Sequence, residues 1–183
     1  MIRIVRYLIL LLILLTVGCE EATASPTVEQ THSTTHTLIF TNGMCSGTAI
    51  GPNVIETAAH CVELGKKLEI VDKEVVVVIG ITYANNDEAF LTLKDANYKT
   101  WAAQGKPLKQ GDHIHWWGNP EANLNIYREG YVVAIQSGYP ILDAMTCKGD
   151  SGAGVFNSKG QIVGIISATT KDSSSRCIFT IVR

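Results

Sequence analysis

Hydrophobic and polar residues alternate along most of the chain in short runs, and turn-forming residues separate the runs. Gly51-Pro52-Asn53 and Asn157-Ser158-Lys159-Gly160 are two such breaks. The pattern predicts strands at 37–40, 46–50, 54–58, 67–71, 75–81, 89–94, 112–117, 127–136, 154–156, 161–167 and 178–182. Many short strands at this spacing are typical of an all-β sandwich or barrel. A single helical turn is predicted at 58–64, and no long helix is predicted anywhere.

The N-terminal region has the pattern of an export signal. Arg3 and Arg6 precede an apolar run over residues 8–17, which is too short to span a bilayer comfortably. Thr16-Val17-Gly18-Cys19 is similar to a lipobox and predicts a signal peptide over residues 1–18 with lipid attachment at Cys19. An ordinary signal peptide with an incidental cysteine is the alternative interpretation.

Residues 20–36 are rich in threonine, serine, glutamate and alanine and contain few apolar side chains. Such a segment cannot bury enough surface to fold, so residues 19–37 are predicted to be a flexible, lipid-anchored tether. Residues 38–183 then form one domain, long enough to hold a sizeable core. His32 and His36 lie in the predicted tether, where solvated histidines are expected and a metal role is the alternative.

The net charge argues against nucleic-acid binding, and the surroundings of the histidines argue against a metal site. The net charge is −2 and no basic cluster occurs, so nucleic-acid binding is not predicted. His113 and His115 alternate on a predicted strand and could in principle share a metal. Acidic or cysteine ligands are missing nearby, which favours a packing or surface role and predicts no metal site.

Two short motifs carry the candidate chemistry. Thr57-Ala58-Ala59-His60-Cys61 places a general base within an apolar run, and Gly149-Asp150-Ser151-Gly152 places a hydroxyl on a glycine-flanked turn. Nucleophilic catalysis by serine needs both parts, because an unassisted hydroxyl is a poor nucleophile at neutral pH. Asp87 lies between the two motifs and could orient the imidazole ring of His60, which gives the chain order His, Asp, Ser.

Alternatives exist for the acid and for the fold around the serine. Asp72 and Asp143 could also orient a histidine, but Asp87 alone lies in an Asp-x-Ala-x-Leu context. The Gly-x-Ser-x-Gly turn of α/β-hydrolases would require glycine at position 153, where this chain has Ala153. The strand–helix alternation of that fold is also missing.

The motifs together resemble those of trypsin-like serine proteases of the chymotrypsin fold. Residues 46–50 and 54–61 are similar to the family's "SGTLI" and "VLTAAHC" passages, and residues 147–152 are similar to its "C-x-GDSGG" passage. Residues 161–167 are similar to its "G-x-LVGIVS" strand, and residues 116–120 to the "GNP" segment of HtrA-like members. The resemblance implies two small antiparallel β-barrels with the active site in the cleft between them.

The resemblance also implies the roles of individual residues. Ser151 is the expected nucleophile, His60 the base and Asp87 the orienting acid, while the N–H groups of Gly149 and Ser151 are the expected oxyanion hole. The expected substrate-binding residues are Met145, Thr146, Lys148, Ser167, Ala168 and Thr169. The last three are expected to pair with the substrate backbone as an added strand. No cofactor is implied.

Five cysteines in an exported protein leave one without a bridge. The resemblance implies a disulfide between Cys45 and Cys61 around the catalytic histidine and a second between Cys147 and Cys177. Two buried thiols are the alternative for the second pair. Cys19 remains for the lipid.

Two departures from the family limit what carries over. Many members are activated when a newly cut N-terminus pairs with the aspartate before the nucleophile, which is Asp150 here, and no such cleavage site precedes Leu38. Met145 stands where trypsin-type enzymes carry an aspartate at the base of the S1 pocket, which favours uncharged or apolar P1 residues.

The sequence thus predicts a serine endopeptidase that is lipid-anchored in a bacterial cell envelope and cleaves proteins or peptides. With Glu20 after Cys19, outer-membrane sorting is expected in a Gram-negative host. A catalytically silent protease scaffold that binds a protein partner is the alternative.

Overall fold

Short β-strands make up most of the secondary structure in the part of the chain that the structure describes. The computed structural model describes residues 26–41, 43–63, 67–84, 86–171 and 177–182. The thirteen strands of this part of the chain are β1 Thr35–Phe40, β2 Gly43–Gly51, β3 Val54–Ala58, β4 Leu68–Val71, β5 Glu74–Val75, β6 Val78–Ala84, β7 Glu88–Leu93, β8 His113–Gly118, β9 Ile126–Gln136, β10 Tyr139–Leu142, β11 Gly154–Asn157, β12 Ile162–Lys171 and β13 Cys177–Val182. Over the same residues the helices are α1 Pro26–His32 and α2 Ala59–Val62, with a 3₁₀ turn at Pro120–Ala122. Neither of these two described helices is long enough to cross a lipid bilayer.

The strands form two antiparallel units. The first is a seven-stranded sheet in the order β5-β4-β1-β2-β3-β7-β6, and the second is a closed six-stranded barrel in the order β10-β13-β12-β11-β8-β9. The sequence predicted two small antiparallel β-barrels; the all-β class and the two units are confirmed, and the second unit is a closed barrel. The first unit is a sheet with β5 and β6 at its edges, whereas the second closes through the pairing of β9 with β10.

Each unit has its own apolar core. In β7 every second side chain, Ala89, Leu91 and Leu93, is buried, as expected for a strand with one face on the core. The second core contains Trp116, Val132 and other buried residues of the closed barrel. The two units meet where β2 and β3 contact β11 and β12, and the Gly154 N–H donates to Thr48 Oγ1 across this contact at 3.0 Å.

The structure differs from the sequence prediction in two of the strand regions and in the N-terminal segment. The strand predicted at 75–81 is two strands, β5 and β6, and β10 was not predicted. Residues 26–32, which lie in the predicted tether, form α1, and β1 begins at Thr35. Thr31 of α1 is 1% exposed and lies against β8, where it contacts His115 Nε2 at 3.1 Å and accepts from Trp117 Nε1 at 3.3 Å. Buried hydroxyl contacts of this kind hold a polar segment that has little apolar surface to bury.

Candidate active site

His60 lies on a short helix that two contacts fix to the first sheet. Strand β3 ends at Ala58, and the Ala59 N–H donates to the carbonyl of Asp87 at 2.9 Å, which starts α2 beside β7. Cys61 forms a disulfide with Cys45 of β2, as the family resemblance implied. The helix that carries His60 is therefore attached covalently to β2 and by a hydrogen bond to Asp87, the residue before β7.

Asp87 holds His60 through both oxygens of its carboxylate. Oδ1 accepts from the His60 backbone N–H at 2.9 Å, and Oδ2 lies 2.8 Å from His60 Nδ1. Ser167 Oγ donates to the same Oδ2. Because a carboxylate can only accept, the ring hydrogen is on Nδ1, which leaves Nε2 of the neutral ring as the basic nitrogen.

The environment of Asp87 favours its ionised form. Burial by itself raises the pKa of the carboxyl, but hydrogen bonds from Ser167 and from the backbone and side chain of His60 outweigh it, together with the charge of His60, so the pKa is lowered. The other two candidate acids lie elsewhere. Asp72 pairs with His36 Nδ1, and Asp143 accepts from the Tyr131 N–H at 2.8 Å.

Ser151 lies on a turn that packs directly against β2 and β3. Its carbonyl accepts from the Ser46 N–H at 2.8 Å and lies 3.9 Å from Cys61 Sγ, beside the helix that carries His60. Gly152 has a φ of +82°, and a Cβ atom at this position would lie 2.2 Å from Thr57 Oγ1. Only glycine allows this approach, so the glycine after Ser151 is what brings the turn to the end of β3.

Position 149 must also be glycine. Its φ is +100°, and a Cβ atom would lie 2.0 Å from the carbonyl oxygen of Asn119. In the part of the chain that the structure describes, the N–H groups of Gly149 and Ser151 donate to no backbone carbonyl. These are the two groups that the sequence assigned to the oxyanion hole.

Asp150 has a partner that the sequence analysis did not find. Its side chain is fully buried, and Oδ2 accepts from Arg128 Nη1 at 2.7 Å and from the Cys147 N–H at 2.8 Å. Burial raises the pKa of Asp150 and outweighs the lowering by Cys147 and Arg128. Arg128 stands on the inward face of β9, in step with the buried Gly130 and Val132. A cationic residue at an inward-facing position of a predicted strand is the sequence feature that could have identified Arg128 as this partner.

The predicted substrate-binding residues differ in their surroundings. Met145 is 59% exposed, so its side chain does not form the buried floor of a pocket. Its carbonyl accepts from Arg128 Nη1 at 2.8 Å. Thr146 is buried instead, with its Oγ1 3.1 Å from Thr180 Oγ1. Lys148 is exposed.

Beyond Ile165, strand β12 pairs with β13, and its pairing with β11 has ended. Ser167 is buried at the start of this segment. Ala168 and Thr169 belong to the strand, but their side chains lie outside the described residues, as does the side chain of Cys177 and with it the predicted bridge to Cys147. Cys19 and the whole signal region lie outside them too.

The histidines outside the motifs have protein partners. His36 pairs with Asp72, and the ring of His32 lies 4.4 Å from that of Trp117. His113 Nε2 lies 3.6 Å from Glu129 Oε2. His115 is buried, and its pKa is lowered by this burial and by the charge of His113. Across the described ranges, no three side chains of the metal-binding types come together.

Comparison with known proteins places this geometry in a family. Residues 45–165 match the family model described as the trypsin-like peptidase domain. No curated protein matches the chain by sequence.

Several solved structures share the fold at low sequence identity. The inactive form of the Rv3671c protease has 18% identity and a TM-score of 0.70, and the match covers 86% of each chain. The active form of the Rv3671c protease from M. tuberculosis has 16% identity and a TM-score of 0.71, with 86% of this chain and 79% of that chain covered. A Glu endopeptidase in complex with MPD has 18% identity and a TM-score of 0.65, with 82% of this chain and 85% of that chain covered.

The family model spans most of the chain, from the disulfide at Cys45 to the end of the region that pairs β11 with β12. The three solved structures described above share the fold, with matches that cover 82–86% of this chain. The chain therefore belongs to the trypsin-like peptidase domain family, a family of hydrolases with the chymotrypsin-like fold.

Proposed function

We propose that the protein is a serine endopeptidase that cleaves peptide bonds through His60, Asp87 and Ser151. The observation that carries the proposal is the pair of contacts between the Asp87 carboxylate and His60. Oδ2 lies 2.8 Å from His60 Nδ1, and Oδ1 lies 2.9 Å from the His60 backbone nitrogen. The contact at Nδ1 selects the tautomer in which Nε2 can accept a proton. Ser151 is held beside the same helix by Ser46 and by the close packing of Gly152 on Thr57.

In the proposed reaction Ser151 Oγ attacks the scissile carbonyl carbon while His60 Nε2 takes the hydroxyl proton. The carbonyl oxygen becomes an oxyanion, which the N–H groups of Gly149 and Ser151 stabilise. His60 then donates its proton to the leaving amine, and an acyl-enzyme forms. Water attacks the acyl-enzyme with His60 as base and regenerates Ser151. Asp87 stays ionised throughout, because its hydrogen bonds favour the charged form.

Arg128 removes the need for a newly cut N-terminus in this proposal. The buried carboxylate of Asp150 already has a cation at 2.7 Å within the chain. The nucleophile turn is thus held in place without an ammonium group delivered by proteolysis. We therefore expect the chain to be active without an activating cut.

The proposed substrate is a protein or peptide with an uncharged or apolar P1 residue. The guanidinium of Arg128 is engaged by Asp150 and by the Met145 carbonyl, so it offers no free charge to an acidic side chain. Substrate backbone would add to β12 from Ser167 onward, where pairing with β11 has ended. We further propose that the protein is exported and anchored in the bacterial envelope by a lipid on Cys19.

Covalent labelling with a fluorophosphonate tests the proposal. The full chain, produced in an oxidising compartment, is treated with the probe alongside Ser151→Ala. We expect labelling of the parent protein and none of the variant, because the probe phosphonylates only an activated serine. A folded parent protein that is not labelled would overturn the proposal and favour the reading as a binding scaffold.

A further inference from the structure

We propose that Ser46 and Asn119 are positioning residues that hold the nucleophile turn so that its free N–H groups face the oxyanion. The inference rests on the proposed function, since it assigns a task within that reaction. Neither residue touches the reacting atoms in the proposed mechanism.

All four carbonyl groups of residues 148–151 are anchored. Each accepts a hydrogen bond of 2.7–2.9 Å. The carbonyl of Lys148 accepts from the Glu121 N–H, and that of Asp150 accepts from the Ala153 N–H. Ser46 holds the other two, because its Oγ donates to the carbonyl of Gly149 and its N–H donates to the carbonyl of Ser151. In a trans peptide the carbonyl and the N–H of the next residue point in opposite directions. Anchoring the carbonyls of Lys148 and Asp150 therefore directs the N–H groups of Gly149 and Ser151 to the other side of the turn.

Ser46 supplies two of these four anchors from one fully buried residue of β2. Its N–H holds the carbonyl of Ser151, and its hydroxyl holds the carbonyl of Gly149. The Gly149 carbonyl belongs to the peptide after the proposed oxyanion donor, so releasing it would let Gly149 rotate about its permissive backbone. One side chain thus restrains the residue whose orientation matters most for the oxyanion hole.

Asn119 decides where the Ser46 hydroxyl points. Asn119 is fully buried, and its Nδ2 donates to Ser46 Oγ at 2.8 Å, so the hydroxyl hydrogen is left to bond the Gly149 carbonyl. The amide cannot turn over, because its Oδ1 already accepts from Thr37 Oγ1 and from the Asn125 N–H, both at 3.0 Å. A fixed chain of hydrogen bonds runs from β1 through Asn119 and Ser46 to the nucleophile turn.

The backbone at Asn119 contributes as well. Its carbonyl oxygen packs on Gly149 where a Cβ atom would lie 2.0 Å away, and two residues later the Glu121 N–H holds Lys148. Glu121 has a φ of +50°, which is a strained value for a residue with a side chain. The loop after β8 adopts this conformation while it contacts the turn from the side opposite the free N–H groups.

The test measures the second-order rate constant of fluorophosphonate labelling in the full-length chain, corrected for the folded fraction. Ser46→Ala removes the donor to Gly149. Asn119→Asp keeps the shape but offers a carboxylate, which attracts the Ser46 hydroxyl away from the Gly149 carbonyl. We expect both variants to lose about 10- to 100-fold in rate, somewhat less than the loss when an oxyanion donor is removed outright. For Ser46→Ala, which introduces no charge, the pH midpoint of labelling should stay at the parent value, because His60 and Asp87 are untouched.

Thr34→Val is the matched control. It also removes a buried hydroxyl that donates to a backbone carbonyl, that of Thr31 at 2.9 Å, but it lies outside the proposed machinery. We expect its labelling rate to stay within twofold of the parent. Rates within twofold for Ser46→Ala and Asn119→Asp as well would overturn the inference, and so would a shifted pH midpoint in Ser46→Ala.

The outcomes separate this inference from the proposed function. A parent protein that is not labelled refutes the function itself, whereas labelled variants with parent rates refute only the positioning roles. If Ser46→Ala does not fold, the isosteric Asn119→Asp decides alone.

Discussion

Glu56 makes the stability of the protein depend on pH in a way that can be worked out from its surroundings. Its side chain is 4% exposed on β3, and burial, a hydrogen bond with Glu88 and the charge of Glu88 raise its pKa to about 9. The unfolded chain has the ordinary value of 4.5. Between these two values the folded state holds a proton that the unfolded state has lost, so stability falls as pH rises.

The size of the effect follows from the difference in bound protons. Each pH unit in this window removes about 1.4 kcal/mol, so raising the pH from about 5 to about 8 removes about 4 kcal/mol of unfolding free energy. Domains are typically stable by only about 5–15 kcal/mol, so the loss is large. Glu56→Gln keeps a donor for Glu88 but cannot titrate, and we expect it to lack this loss.

The assay is urea unfolding of the parent protein and of Glu56→Gln at each pH. The free-energy difference between them should move in favour of the variant by about 4 kcal/mol across the window. Glu69→Gln, at an exposed position of β4, is the control and should show no such trend. A difference between parent and Glu56→Gln that is constant from acidic to alkaline pH would refute the reasoning, because it would mean that Glu56 is not a buried neutral acid.

Three further predictions concern the active site. Arg128→Met leaves Asp150 buried without its cation, so we expect the unfolding free energy measured with urea to fall by about 3–5 kcal/mol. We also expect fluorophosphonate labelling to be lost, and a stable, labelled variant would contradict this prediction. Ser167→Ala removes a hydrogen-bond donor that lowers the pKa of Asp87. The loss of activity on the acid side of the pH–rate profile should therefore move to higher pH. An unchanged profile would count against the hydrogen bond between Ser167 and Asp87. Replacing Cys45 and Cys61 together by alanine should lower stability by about 3 kcal/mol by removing a bridge of sequence separation 16, measured against the parent under oxidising conditions.

Local patterns were enough to predict most of the strands and the motifs. In β7 the alternation of Ala89, Leu91 and Leu93 reflects one buried face, and this is visible in the sequence because neighbouring side chains of a strand point to opposite sides. The Cys45–Cys61 bridge was also predicted, although from the family resemblance and not from the residues alone. The contact of His60 with Asp87 joins two segments that the motifs had already marked.

The polar N-terminal segment shows where local patterns mislead. Residues 26–32 lack the apolar content of a folded element, yet Thr31 is buried through contacts with His115 and Trp117 of β8. Those partners lie more than 80 positions away in the chain. A composition-based prediction has no access to such contacts, since it evaluates each segment as if it were surrounded by water.

The sequence by itself determined most of the strands, the family and the identities of the candidate nucleophile, base and acid, because each depends on residue types that lie close together in the chain. Only the tertiary structure decided which groups bond to the turn that carries the candidate nucleophile. Arg128 reaches Asp150 across 22 positions, and Ser46 reaches Gly149 across 103. The first contact lies within the second unit, and the second contact joins that unit to the first sheet. Hydrogen bonds between buried polar groups leave no periodic pattern in the sequence.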